Sequence, residues 1–179
     1  MIIETTRLLL RKFILSDLDA FYDYCQSPDV GPSAGWKPHE SKEESLKILQ
    51  MMIEGDEVLA IVDKASDKVI GSVGMHDDSM RNTPCVKMIG YVLAKESWGK
   101  GLMTEAVKAV MRHAFEVDKL ELISVNHFAN NEKSKRVIEK VGFKYEGTIR
   151  YARKVYDDGI EDLVCYSMTK VEWDQLENK

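Results

Sequence analysis

Cysteine and proline are scarce in this chain, three and four residues respectively among 179. Cys25, Cys85 and Cys165 lie far apart and no Cys-x-x-Cys pair occurs. That excludes a disulfide framework and a cysteine-bound zinc, and an odd, sparse count suits reduced, buried thiols. Long apolar runs are also lacking: none approaches the roughly 20 residues of a membrane helix. The start, Met1-Ile2-Ile3-Glu4-Thr5-Thr6-Arg7, places an acid early and has no basic region leading into an apolar core, unlike a secretory leader. Basic charge is in deficit, with 25 Lys and Arg against 30 Asp and Glu and a formal net charge of −5. A sequence-independent nucleic-acid binder relies on a basic surface, so that class is not expected. These absences point to a cytoplasmic protein without membrane, nucleic-acid or metal partners. An acidic field would favour approach of a protonated amine, although the same balance also serves solubility.

What is present is an ordinary globular composition, 44% hydrophobic and 31% charged, at a length that fits one domain spanning residues 1–179. A chain of this size buries roughly 70% of its unfolded surface and needs no staple. Residues 7–13, with three consecutive leucines, read as a strand, and Ser16-Asp17-Leu18-Asp19 as a helix start capped by the Ser16 hydroxyl. Prolines and glycines make residues 28–40 a loop, and Ser41-Lys42-Glu43-Glu44 opens a second helix with a capping box. Strands follow at 57–63, 68–75 and 86–93, with a loop from His76 to Pro84. Leu102, Met103, Ala106, Val107, Val110, Met111, Ala114 and Phe115 then recur in pairs every four residues, predicting a long helix over 101–116 with a wide buried stripe. A strand at 120–126, a helix at 131–140 closed by Gly142, and strands at 143–150 and 162–169 complete the chain. The expected class is α/β, a mixed sheet with helices on both faces.

The chemistry is concentrated in Trp98-Gly99-Lys100-Gly101-Leu102-Met103-Thr104, between a strand and the long helix. First-turn amides have no internal partners and sit at the positive end of the helix dipole, so such an end binds phosphate if the backbone is approachable. Gly99 and Gly101 clear the approach and Lys100 adds a positive charge. A P-loop is excluded because Gly101, not Ser or Thr, follows Lys100; a dinucleotide fingerprint is excluded because Thr104 stands where a third glycine belongs. Alone, the two glycines could mark no more than a strand-to-helix turn.

About 30 residues on comes Asn130-Asn131-Glu132-Lys133-Ser134, a short helix, and Gly142-Phe143. As plain structure Asn131 is an N-cap and Ser134 a small residue of the first turn. The combination of glycine turn, long helix, Asn-x-x-Ser and Gly-Phe resembles the GNAT N-acetyltransferases. The opening Glu4-Thr5-Thr6-Arg7-Leu8-Leu9-Leu10-Arg11, the Ile89-Gly90-Tyr91 strand and the Glu146-Gly147 pair are similar to the ribosomal-protein alanine N-acetyltransferase branch.

The resemblance implies a mostly antiparallel, splayed sheet and transfer of acetyl from acetyl-CoA to a primary amine in a direct ternary complex. It implies that the backbone at Tyr91, Val92 and Leu93 pairs with the pantetheine arm. The turn from Trp98 through Gly99, Lys100, Gly101 and Met103 to Thr104 would hold the pyrophosphate. Asn131 would bond the pantetheine, and Ser134 would sit at the sulfur as the catalytic hydroxyl. The acceptor is a protein N-terminus or a small amine such as a polyamine or aminoglycoside; a silent acyl-CoA-binding regulatory module is the rival, and the assembly is a monomer or homodimer. Met103 is unusual for the family and would narrow the phosphate approach. Where some relatives carry a glutamate base, Lys87 and Met88 stand here, and the approximate match to a later carboxylate is Arg153. The base is therefore left to a water chain or to the pair His76 and Asp77, with Trp36 either a wall of the acceptor groove or a core anchor of its loop.

Overall fold

The computed structural model describes residues 1–55, 57–81 and 83–178. The chain enters through two antiparallel strands, β1 (Ile2–Glu4) and β2 (Leu8–Lys12). β1 has three residues, too few for an alternating pattern to reveal it. The first helix does not begin on a Ser16 cap. A 3-10 turn, Leu15–Asp17, precedes α1 (Leu18–Cys25), and the Asp17 carboxylate accepts from the Ile14 amide at 2.9 Å. Arg11 grips the same carboxylate at 2.7 and 2.8 Å, a bidentate pairing that a serine hydroxyl cannot offer. The expected loop at 28–40 contains a single helical turn, α2 (Gly31–Ala34), stopped by Gly35 at φ 88°. α3 (Lys42–Gly55) starts at the expected cap: the Ser41 hydroxyl accepts from the Glu44 amide at 3.1 Å, while the Glu44 carboxylate returns to the Glu40 amide.

Next come β3 (Val58–Asp63), β4 (Lys68–Asp77) and β5 (Val86–Leu93). β4 is longer than its sequence suggested, so His76 and Asp77 end a strand instead of beginning a loop. α4 (Leu102–Glu116) buries all eight residues of the periodic stripe. β6 (Leu122–Phe128), α5 (Glu132–Val141), β7 (Lys144–Lys154) and β8 (Ile160–Thr169) follow. α6 (Lys170–Glu177) was not expected, although Thr169 and Glu172 form a reciprocal capping box that is visible as Thr-x-x-Glu in the sequence.

The eight strands form one sheet in the order β1-β2-β3-β4-β5-β6-β8-β7. Among the described residues every neighbouring pair is antiparallel except β5 with β6. One face packs on α4 and α5, with Val73, Ile89, Leu93 and Val125 against Val107 and Ile138. The other packs on α1 and α3, with Ala60 and Val62 against Phe21 and Leu49. No described helix is long and apolar enough to cross a membrane.

Candidate active site

The parallel pairing of β5 with β6 lasts only from Val86 to Met88. Beyond it, β5 keeps β4 as far as Leu93, and β6 keeps β8 as far as Phe128. The two strands part, and a cleft of about 680 Å³ opens between them and continues to the start of α4. Tyr91, Val92 and Leu93 thus lie on the part of β5 that has no pairing with β6 and line the cleft. A cavity of this size is in the range of cofactor sites.

Gly99 and Gly101 have φ of 75° and 76°, the left-handed region that disfavours side chains. A Cβ at Gly99 would meet nothing within 4 Å, so the glycine turn is open to the cleft. Gly101 is the N-cap of α4 and no side chain caps this end, leaving its first amides for a ligand. The turn is anchored from behind. Arg7 donates to the Lys100 carbonyl at 2.9 Å and to Glu105 at 2.7 Å, and Thr5 adds a 2.6 Å bond to Glu105. Burial pushes the Glu105 carboxyl up, but these hydrogen bonds outweigh it and hold the group below its ordinary range. The Thr5 and Arg7 side chains of the opening segment therefore serve as a clamp on the glycine turn, a role its sequence did not disclose.

Trp98 is half in the core and donates from its indole to the Leu93 carbonyl at 2.8 Å. The Lys133 ammonium lies 3.6 Å from the centre of its ring, so the two side chains bridge the cleft mouth between α5 and the turn. Met103 is largely buried with the α4 stripe and also lines the cleft. Thr104 lines the cleft one residue later.

On α5, Asn131 is the N-cap, its Oδ1 accepting from the Ser134 amide at 3.0 Å. Its Nδ2 donates to the Ser33 carbonyl at 2.8 Å, tying α5 to α2, so both ends of this amide already have partners. The Ser134 hydroxyl stands 2.9 Å from the Tyr91 hydroxyl, across the gap between α5 and β5. Burial pushes the Tyr91 phenol up to about 12, against the hydrogen bond with Ser134, which lowers it. The sequence singled out Tyr91 for its backbone; its side chain is the additional finding.

At the end of β4, His76 and Asp77 take different partners. Asp77 pairs with Lys87 at 2.5 Å, and His76 Nδ1 lies 3.1 Å from a Glu57 carboxylate oxygen. Strand alternation turns consecutive residues to opposite faces, which separates the expected pair. Trp36 packs its ring on Gly31 and lines the cleft beside α2. Arg153 is exposed on the rim, on the β7–β8 hairpin. His127, unmarked in the sequence reading, lines the cleft with Nδ1 2.7 Å from the Phe128 carbonyl and a buried Nε2 that has no partner. The ionisable side chains of the cleft wall that carry or can take positive charge are His76, His127, Lys133, Arg136, Lys140 and Arg153, and among the described residues no Asp or Glu lines it.

Comparison with known proteins is consistent with this geometry. Residues 7–144 match the acetyltransferase (GNAT) domain model. The uncharacterized N-acetyltransferase p20 of Bacillus licheniformis is 29% identical over 174 residues, 94% of this chain and 96% of that protein. The [ribosomal protein uS5]-alanine N-acetyltransferase of Escherichia coli is 28% identical over 109 residues, 60% of this chain and 55% of that protein. A GNAT-family acetyltransferase from Bacillus anthracis superposes with a TM-score of 0.86 at 24% identity, over 96% of this chain and 100% of that one, which shows the shared fold. With the split sheet and open glycine turn in place and the family model spanning most of its length, the chain belongs to the GNAT acetyltransferases and is an N-acetyltransferase.

Proposed function

We propose that this enzyme acts as a single catalytic domain that carries acetyl from acetyl-CoA to the α-amine of a protein N-terminus. The fit of the cleft to acetyl-CoA rests on three features. A Cβ would intrude on the open turn at Gly99, the α4 end lacks a side-chain cap, and the buried His127 Nε2 is an orphaned acceptor in the wall. Gly99, Gly101 and the amides of Leu102 to Thr104 hold the pyrophosphate, with Lys100 adding long-range charge. The β5 edge from Tyr91 to Leu93 holds the pantetheine amides, and Asn131 sets the start of α5 beside them. Bound there, acetyl-CoA supplies an activated acyl group. The protein's part is to place a neutral amine against it and to meet the charge on the departing sulfur.

The choice of acceptor is carried by one observation: among the described residues, the charged groups of the cleft wall are basic and none is acidic. A polyamine or aminoglycoside carries several ammonium groups and needs carboxylates to hold them. A peptide N-terminus brings one amine and neutral amides, and its rim partners include Trp36 and the exposed Arg153. The named activity of the Escherichia coli relative supports the same class.

A thiol-release assay over a panel of amines tests this reading. Peptides with free ribosomal-protein-like N-termini are expected to give kcat/KM at least about tenfold above spermidine or kanamycin, and Nα-blocked peptides none. A polycation preferred over every peptide overturns the acceptor assignment. Acetyl-CoA binding without turnover of any amine favours the silent regulatory module. Lys100 is exposed and touches the cleft only by charge, so Lys100→Ala is expected to weaken acetyl-CoA binding about two- to fivefold at low salt. The loss shrinks as salt is raised; a salt-insensitive loss shows that Lys100 makes a direct contact.

A further inference from the structure

We propose that His76, held by Glu57, is the catalytic residue that takes the proton from the acceptor ammonium. The inference rests on the reading that amine and thioester meet at the split beside β5, but not on which amine arrives. Ser72, Gly74 and His76 alternate onto one face of β4, and the register sets Gly74 against Gly90 and His76 against Met88. Two glycines facing each other across the strands leave a patch of sheet without side chains. The His76 ring folds back over that patch. A Cβ at Gly74 would stand 2.9 Å from its Nε2, and one at Gly90 would stand 3.6 Å from Cδ2 and 3.7 Å from Nε2. A side chain at residue 74 would displace the ring. Gly90 belongs to the part of β5 that has already left β6, so the glycines let the imidazole lie flat and bring Nε2 toward the split.

The other ring nitrogen is committed. Nδ1 lies 3.1 Å from Glu57, which is fixed beside β3 by its carbonyl accepting from the Met75 amide at 3.1 Å. A proton on Nδ1 shared with a carboxylate leaves the lone pair on Nε2, and Nε2 has no hydrogen-bond partner among the described residues. The charged groups near the ring are Glu57 beside β3, Asp77 on its own strand and Lys87 from β5, the last two paired with each other. On the opposite face of β5, the next residue after Gly90 is Tyr91, which reaches Ser134. A proton acceptor and a pair of hydroxyl donors therefore flank the same point of the split from its two faces.

The ammonium gives its first proton to His76 Nε2, and from there it passes to solvent. The freed lone pair forms the C–N bond as the C–S bond breaks. The second proton leaves nitrogen as the amide forms and balances the proton that sulfur gains on release as a thiol. Glu57 acts as a positioning residue, fixing the tautomer and the orientation of the ring.

His76→Gln is expected to lower kcat/KM about 100-fold with the best acceptor of the panel, leaving calorimetric acetyl-CoA affinity within about twofold. Glu57→Gln is expected to cost about tenfold, because the ring loses the carboxylate that sets its tautomer. Asp77→Asn should leave the rate unchanged. Independently of turnover, nitrogen-resolved NMR of the ring, assigned by its loss in His76→Gln, should show Nδ1 protonated and Nε2 bare in the neutral form. Glu57→Gln should release that tautomer. An unchanged rate and pH profile in His76→Gln overturns the proposal, and so does a neutral ring protonated on Nε2. If no amine in the panel turns over, the acceptor reading falls, while the tautomer measurement still decides the arrangement of His76 and Glu57.

Discussion

Gly101→Val is expected to weaken acetyl-CoA binding by about 100-fold or more, the largest effect on binding of any single change in the cleft. Two causes add. Gly101 holds φ 76° as the N-cap of α4, and a left-handed conformation costs an L-residue about 1–2 kcal/mol, more when the side chain is β-branched. The Cβ itself would stand 3.7 Å from Arg7 Nη2, an ordinary contact, and the two valine methyls beyond it add bulk between the turn, the guanidinium that clamps the Lys100 carbonyl and the cleft. Moving the turn, or screening the first α4 amides, removes charge-assisted hydrogen bonds of about 1.5–3 kcal/mol each, and about 2.7 kcal/mol is a factor of 100. The two causes are separable. Melting without ligand reads the backbone strain, and calorimetric titration reads the binding. Gly99→Ala is the companion variant: its methyl meets nothing within 4 Å, so its cost in the free protein is the φ of 75° alone. Acetyl-CoA is expected to raise the melting temperature of the wild type and not of Gly101→Val, and ATP and NAD to raise neither comparably. Gly101→Val binding within about threefold of wild type, or equal stabilisation by all three nucleotides, removes the turn from the phosphate site.

Features that rest on local chemistry were legible in the sequence. The α4 stripe could be read because a 3.6-residue period needs only its own helix, and all eight apolar positions are buried. α5 could be bounded because an asparagine cap and a glycine stop act within one turn of the chain, and Asn131 and Gly142 do so. What escaped are the relations that cross the sheet. His76 meets Glu57 and not its chain neighbour Asp77, because strand alternation sends neighbours to opposite faces. Arg7 and Glu105 come together only once β2 and α4 share a face. The split has no local signature at all, since it is set by where β5 stops pairing with β6. β7 was expected to end near Arg150 but continues to Lys154, past a register shift between Ile149 and Arg153. Tyr151 there adopts φ 53°, with its amide donating to the Asp162 carboxylate at 2.8 Å. No pattern of residues announces a tyrosine in that conformation. Charge misled in a different way. The net −5 is a sum over the whole surface, while the charged groups of the cleft wall are basic among the described residues. Attraction of a protonated amine by a general acidic field is thus not mirrored where the amine would react.

Ser134→Ala is expected to lower kcat roughly ten- to a hundredfold, the value of one good polar contact made in the transition state, with acetyl-CoA affinity changed less than about twofold. The charge to be met is on sulfur, and it grows only as the C–S bond breaks, so a hydroxyl aimed there stabilises the transition state more than the bound substrate. Ser134 is poised for this by a neighbour. The Tyr91 hydroxyl lies 2.9 Å from Oγ and is also 3.3 Å from the Ser134 carbonyl. With its phenol pushed up to about 12 by burial, Tyr91 stays protonated across any working pH and can donate to Ser134, freeing the serine proton for the sulfur. The substitution is a clean one. Asn131 caps α5 through the Ser134 amide, not its hydroxyl, so alanine leaves the helix start intact. Tyr91→Phe should then reproduce part of the loss, and the double variant should lose no more than Ser134→Ala alone, because a donor that acts through serine is silent once serine is gone. Multiplying losses would instead mean that the two hydroxyls reach the reacting atoms separately. Steady-state kinetics on the three variants, with calorimetry beside them, decides among these outcomes, and full kcat in Ser134→Ala removes the hydroxyl from the reaction altogether.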